Sequence, residues 1–72
     1  MQYIQIIINE RKKQGYTQQQ IAEILNTTQQ QINKYERGMQ EIPVRRLIQL
    51  ADLYNVSLDY LTGRTDKREI NT

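Results

Sequence analysis

Residues 17–38 read Thr-Gln-Gln-Gln-Ile-Ala-Glu-Ile-Leu-Asn-Thr-Thr-Gln-Gln-Gln-Ile-Asn-Lys-Tyr-Glu-Arg-Gly, and the pentapeptide Thr-Gln-Gln-Gln-Ile occurs in them twice, at Thr17–Ile21 and at Thr28–Ile32. Each copy leads from a threonine, able to cap a helix, into apolar residues at helical spacing. The first run puts Ile21, Ile24 and Leu25 on an inner face, with Ala22 small enough for close approach to a neighbour, and predicts a helix from about Gln18 to Leu25. Asn26 comes next. Asparagine is the non-glycine residue that best tolerates the left-handed backbone a sharp turn between helices demands. Thr27 or Thr28 then caps a second helix with an inner stripe of Ile32 and Tyr35, stopped by Gly38. The stretch therefore predicts two short helices joined by a tight turn.

Working outward, Ile4, Ile7 and Ile8 at spacings of three and four, with Arg11, Lys12 and Lys13 in the last turn and Gly15 beyond, predict a helix over Tyr3–Gln14. On the other side, Pro43 suits a first turn, and Val44, Leu47, Ile48, Leu50, Ala51 and Tyr54 supply a wide apolar face closed by Asn55. Ser57 caps a last short helix through about Leu61, with Gly63 after it. The expected architecture is all-α, a compact five-helix domain over residues 1–63. Arg64 to Thr72 is charged and aperiodic, with Ile70 its one apolar anchor, and is expected to be a loosely ordered tail.

Composition limits the chemistry. A chain of 72 residues has room for one domain with no large substrate pocket. Cysteine and histidine are both absent, which excludes disulfides, zinc held by thiolate or imidazole, and any histidine base. Glu36, Asp52 and Asp59 fall on separate helices with no glycine-rich phosphate loop to join them, so an enzyme is not expected, nor a cofactor, metal or small-molecule ligand. The net charge of +2 is a small surplus that does not by itself argue for a polyanionic partner. The Ile4–Ile8 run is too short and too interrupted for a signal peptide, and no stretch is apolar enough to span a membrane. The cytoplasm is the expected location.

The chemistry of the outward faces is more informative. Glutamine carries an acceptor and two donors on one planar head, which suits paired bonding to adenine N6 and N7, and Gln29 and Gln30 stand side by side at the start of the second helix of the pair. Residues 18–37 also resemble the helix-turn-helix of the lambdoid phage repressor and Cro-like (XRE-type) family. The resemblance rests on Gln18, Ile21, Ala22, Leu25, the turn at Asn26-Thr27, then Ile32, Tyr35 and Glu36-Arg37-Gly38. It extends to Arg11 before the motif and to Leu50-Ala51, Val56–Leu61 and Gly63-Arg64-Thr65 after it. Two departures stand out: Asn26 replaces the glycine most frequent in the family, and the fourth helix begins one residue sooner than in some phage repressors. Backbone contacts made by the connecting loop are therefore not carried over.

The resemblance implies a repressor-like DNA-binding domain whose third helix lies in the major groove of double-stranded DNA. On that docking, Thr28, Gln29, Gln30, Asn33 and Lys34 would reach base edges. Gln18, at a helix N-terminus, would hold a phosphate, with Arg37, Arg45 and Arg46 as further phosphate contacts. Arg11 and Glu36 would form a partly buried ion pair that fixes the recognition helix. Because a five-residue last helix cannot turn all of its apolar side chains inward, Leu58, Tyr60 and Leu61 would supply the interface of a homodimer on a two-fold symmetric operator. A module that binds another protein, such as an antitoxin-like partner with secondary DNA binding, is the alternative, and the short tail argues against it.

Overall fold

The computed structural model of the chain describes residues 2–69, and Ile70, named above as an anchor, lies outside them. Five helices follow one another: α1 (Gln2–Lys13), α2 (Gln18–Ile24), α3 (Gln29–Glu36), α4 (Val44–Tyr54) and α5 (Leu58–Leu61). Among the described residues there is no strand, and no helix is long and apolar enough to cross a membrane.

One device ends all five helices. Gly15, Asn26, Gly38, Asn55 and Gly63 each adopt positive φ, and the residue after each donates its N–H to a carbonyl five residues back: Tyr16 to Arg11, Thr27 to Ala22, Met39 to Lys34, Val56 to Ala51 and Arg64 to Asp59. This arrangement satisfies carbonyls that a helix end leaves free and turns the chain sharply. At Asn26 (φ 57°) it replaces the glycine expected of such turns, so the departure noted in the sequence leaves the turn intact.

The N-termini of α2, α3 and α5 are capped by side chains, whereas α4 follows Pro43 with no side-chain cap. Thr17 Oγ1 accepts from Gln20 N at 3.1 Å while Gln20 Oε1 accepts from Thr17 N at 2.8 Å, a reciprocal capping box. Thr28, of the two candidates, caps α3, its Oγ1 accepting from Gln31 N at 3.1 Å. The glutamine that would close a second box there instead donates Nε2 to Gln40 Oε1 at 2.7 Å, tying α3 to the loop that follows. Identical pentapeptides thus use their last glutamine differently, the first on its own cap and the second on the loop after α3.

The core gathers Ile4 and Ile7 of α1, Ile21, Ala22 and Leu25, Ile32 and Tyr35 of α3, and Leu47, Leu50, Ala51 and Tyr54 of α4, sealed by Ile42, Val56 and Leu61. Three apolar residues expected inside lie outside. Ile24 is 47% exposed because α3 packs on the Ala22 side of α2, and a residue two positions on from Ala22 turns away from that contact. Val44 (65%) and Ile48 (44%) flank the Leu47–Leu50–Ala51–Tyr54 stripe on one side, away from the core. Ile8 is only half-buried at the core margin.

The tail also differs from expectation as far as Glu69. It holds no helix, yet Ser57 N donates to Arg68 O at 2.9 Å and Arg68 Nη2 donates to Glu10 Oε2 at 2.9 Å, with the Arg68 guanidinium 5.6 Å from the centre of the Tyr60 ring. Residues 64–69 therefore belong to the folded unit and form a strap from α5 back to α1.

Candidate nucleic-acid interface

The short inner stripe of α3, Ile32 and Tyr35, leaves the rest of that helix to solvent. Its outer face, with the start of α2 and the turn after Gly38, encloses an open groove of about 530 Å³ lined by Gln18, Gln29, Gln30, Asn33, Lys34, Arg37 and Met39. The lining contains carboxamides, two cations and one thioether, and no carboxylate. By contrast, a void inside the core lined in part by Tyr54 measures about 10 Å³, room for no more than a water.

Glu36 lies beneath the groove. Arg11 Nε donates to its Oε2 at 2.7 Å and Arg11 Nη2 to its Oε1 at 2.9 Å, with the two side chains only 11% and 9% exposed. Arg11 Nη1 also donates to Tyr16 O at 2.9 Å, so one guanidinium fastens α1, the α1–α2 turn and the end of α3. A bidentate pair of this kind fixes orientation, since both partners are planar. Its worth is positional, because desolvating two charges offsets much of their attraction. Gln18 Nε2 donates to Glu36 Oε1 at 3.0 Å, and Asn33 Nδ2 donates to Gln18 Oε1 at 3.4 Å. Gln18 is thereby held half-buried at the groove edge by α3 itself.

Tyr54 packs under this network, its ring 6.1 Å from that of Tyr16. Its hydroxyl is buried with no hydrogen-bond partner among the described residues. Burial holds its pKa well above the ordinary tyrosine value, since the phenolate would be desolvated.

Of the residues predicted from sequence, Gln18, Gln29, Gln30, Asn33, Lys34 and Arg37 come together in the groove. The others stand apart from it. Thr28 is occupied as the cap of α3 and does not line the groove. Arg45 and Arg46 lie on α4, outside the groove, and Arg46 is half-buried with Nε and Nη1 enclosed and unpartnered among the described residues. Leu61 is completely buried, because it faces the core from the last turn of α5, and is unavailable to a second chain. Tyr60 is half-buried beneath Arg68, which leaves Leu58 exposed beside Ile48 on a shallow surface between α4 and α5. Met39 was not anticipated. Its place directly after Gly38 marks the helix stop, but nothing in its spacing signals the groove.

The geometry is that of two short helices around a left-handed turn, with the second presenting its polar face. A family model described as helix-turn-helix matches residues 7–61. The chain belongs to the helix-turn-helix family. Among curated relatives, it is 41% identical over 61 residues to the HTH-type transcriptional regulator ImmR of Bacillus subtilis (strain 168), covering 85% of this chain and 48% of that protein. An uncharacterized HTH-type transcriptional regulator of Rickettsia prowazekii (strain Madrid E) is 38% identical over 56 residues, with 78% and 43% covered. The SPbeta prophage-derived uncharacterized HTH-type transcriptional regulator YonR of Bacillus subtilis (strain 168) is 39% identical over 55 residues, with 76% and 51% covered. The chain spans about half the length of these helix-turn-helix relatives.

Proposed function

We infer that the domain is a sequence-specific, double-stranded-DNA-binding transcriptional regulator that acts as a repressor in the cytoplasm. The reading rests above all on the groove that collects Gln29, Gln30, Asn33 and Lys34 on the outer face of α3 with Gln18 and Arg37 at its edges. Glutamine heads on a helix narrow enough for the major groove suit adenine N6 and N7, and each good bidentate contact discriminates by ~1–3 kcal/mol. Gln18, through its remaining N–H, and Arg37 hold the phosphates that fix the docking register and give binding its salt dependence. The names of the relatives, all transcriptional regulators, support the same reading.

One short helix covers only a few base pairs, so the domain works as a homodimer on two half-sites about one helical turn, roughly 34 Å, apart. The exposed pair Leu58 and Ile48 is the apolar surface offered for that contact. The test is selection of duplexes from a randomised pool at low salt, followed by sedimentation of the complex. A two-fold symmetric consensus and a 2:1 complex support the reading, whereas no enriched sequence refutes DNA recognition and an asymmetric site bound 1:1 refutes the dimer.

A further inference from the structure

Four side chains beneath and along the groove form a directed chain of donors and acceptors. A carboxylate offers only acceptors, so the Gln18 amide turns its nitrogen toward Glu36 and its oxygen away. Asn33 then turns Nδ2 toward that oxygen. Reversing either amide sets oxygen against oxygen or nitrogen against nitrogen. On a free asparagine the two orientations are nearly equivalent, and the group meets a donor or an acceptor alike. Here the Arg11–Glu36 pair, through Gln18, favours one orientation, and Asn33, a groove-lining residue, keeps Oδ1 outside that chain of bonds. In the major groove each base pair offers a single amino group, adenine N6 or cytosine N4, and the other polar positions accept.

The geometry points to Asn33 as a specificity residue whose polarity is set from inside the protein: the Arg11–Glu36 pair, acting through Gln18, presents Asn33 Oδ1 to the DNA, where it selects adenine or cytosine over guanine or thymine. This inference rests on the DNA-binding reading above. Gln18 contributes as a positioning residue in addition to any phosphate it holds.

The test compares duplexes selected by the native chain and by folded variants, with folding checked by circular dichroism. Asn33→Ala locates the base pair that Asn33 faces. At that pair the native chain favours adenine or cytosine on one strand by roughly tenfold. Gln18→Ala, and Gln18→Met, which keeps the side-chain volume, cut this preference below about twofold, a larger proportional loss than at the pairs read by Gln29 and Gln30. Adding Asn33→Asp to Gln18→Ala restores the preference, because both ends of that side chain accept; a merely structural role would not produce this rescue. Guanine or thymine at that pair, a preference that survives loss of Gln18, failure of the rescue, or no pair altered by Asn33→Ala would each overturn the inference while DNA binding stood. A native chain that enriches nothing refutes DNA binding and this inference together.

Discussion

Arg68 Nη2 lies 2.9 Å from Glu10 Oε2, so the strap after α5 closes over a carboxylate in the last turn of α1. Glu10 has 2% of its side chain exposed and Arg68 has 37%, and Gln14 Nε2 is the other group bonded to the same oxygen, at 2.8 Å. Arg68→Ala leaves a buried carboxylate without its cation and is expected to cost about 1–2 kcal/mol, less than a fully buried pair because Arg68 is partly solvated. Adding Glu10→Gln recovers part of the loss. Urea denaturation of the single and double variants checks both statements, and a free strap would show no loss at all.

Glu36→Ala strands the Arg11 guanidinium in the interior and is expected to destabilise by roughly 3–5 kcal/mol, enough to unfold much of a domain this small. Replacing Arg11 and Glu36 together by methionine costs far less, since no uncompensated charge is then buried. Thermal melts distinguish the two. Equal losses would mean that packing, and not charge pairing, holds α1 to α3.

Gln29 and Gln30 are exposed, and their side chains make no hydrogen bond among the described residues. Changing both to alanine is expected to leave stability within about 0.5 kcal/mol and to weaken binding to the selected site by about 1–3 kcal/mol per contact, with relaxed preference at the base pairs concerned. Gel-shift titration against the selected duplex and a scrambled one reads the difference.

The Tyr54 hydroxyl is buried without a partner among the described residues, and burial raises its pKa above the ordinary value near 10. A group that binds its proton more tightly in the folded state contributes stability that is complete below its unfolded pKa and is lost as pH rises beyond it. Stability should therefore fall above about pH 10. Tyr54→Phe should be neutral or stabilising by up to about 1 kcal/mol at pH 7 and should flatten the alkaline decline. Denaturation curves at pH 7 and pH 10.5, the latter within the range where unfolded tyrosine ionises, supply the comparison.

Asn26 holds φ at 57° between α2 and α3. Asn26→Gly should be nearly neutral and Asn26→Ala should cost about 1 kcal/mol, because a Cβ without a local polar partner resists the left-handed region. Melting temperatures of the two variants decide it.

The helices and their ends were legible because their signals are local: threonine, serine, glycine and asparagine act on backbone within a turn of themselves. Gln20 carried such a signal too, three residues after Thr17, and its half of the capping box could have been read from spacing alone. Which side of each helix faces inward was less legible, because Ile24, Val44 and Ile48 are as apolar as their buried neighbours and only the direction of the packed partner sorts them. The Arg11–Glu36 pair came from resemblance. The bonds from Glu36 to Gln18 and from Arg68 to Glu10 join positions 18 and 58 residues apart, and no local pattern encodes them. The enclosure of Arg46 was not legible for the same reason, as a basic side chain looks alike in sequence whether it is solvated or has Nε and Nη1 buried.

On α3, the side chains that hold the domain together and those that face outward share eight residues without overlapping: Ile32 and Tyr35 are buried, while Gln29, Gln30 and Lys34 bear no structural weight. Under selection those exposed letters can be rewritten one at a time while the scaffold stays as it is, so new targets become reachable by small mutational steps. Asn33 is the exception, wired to the interior, and ought to be the slowest letter to change.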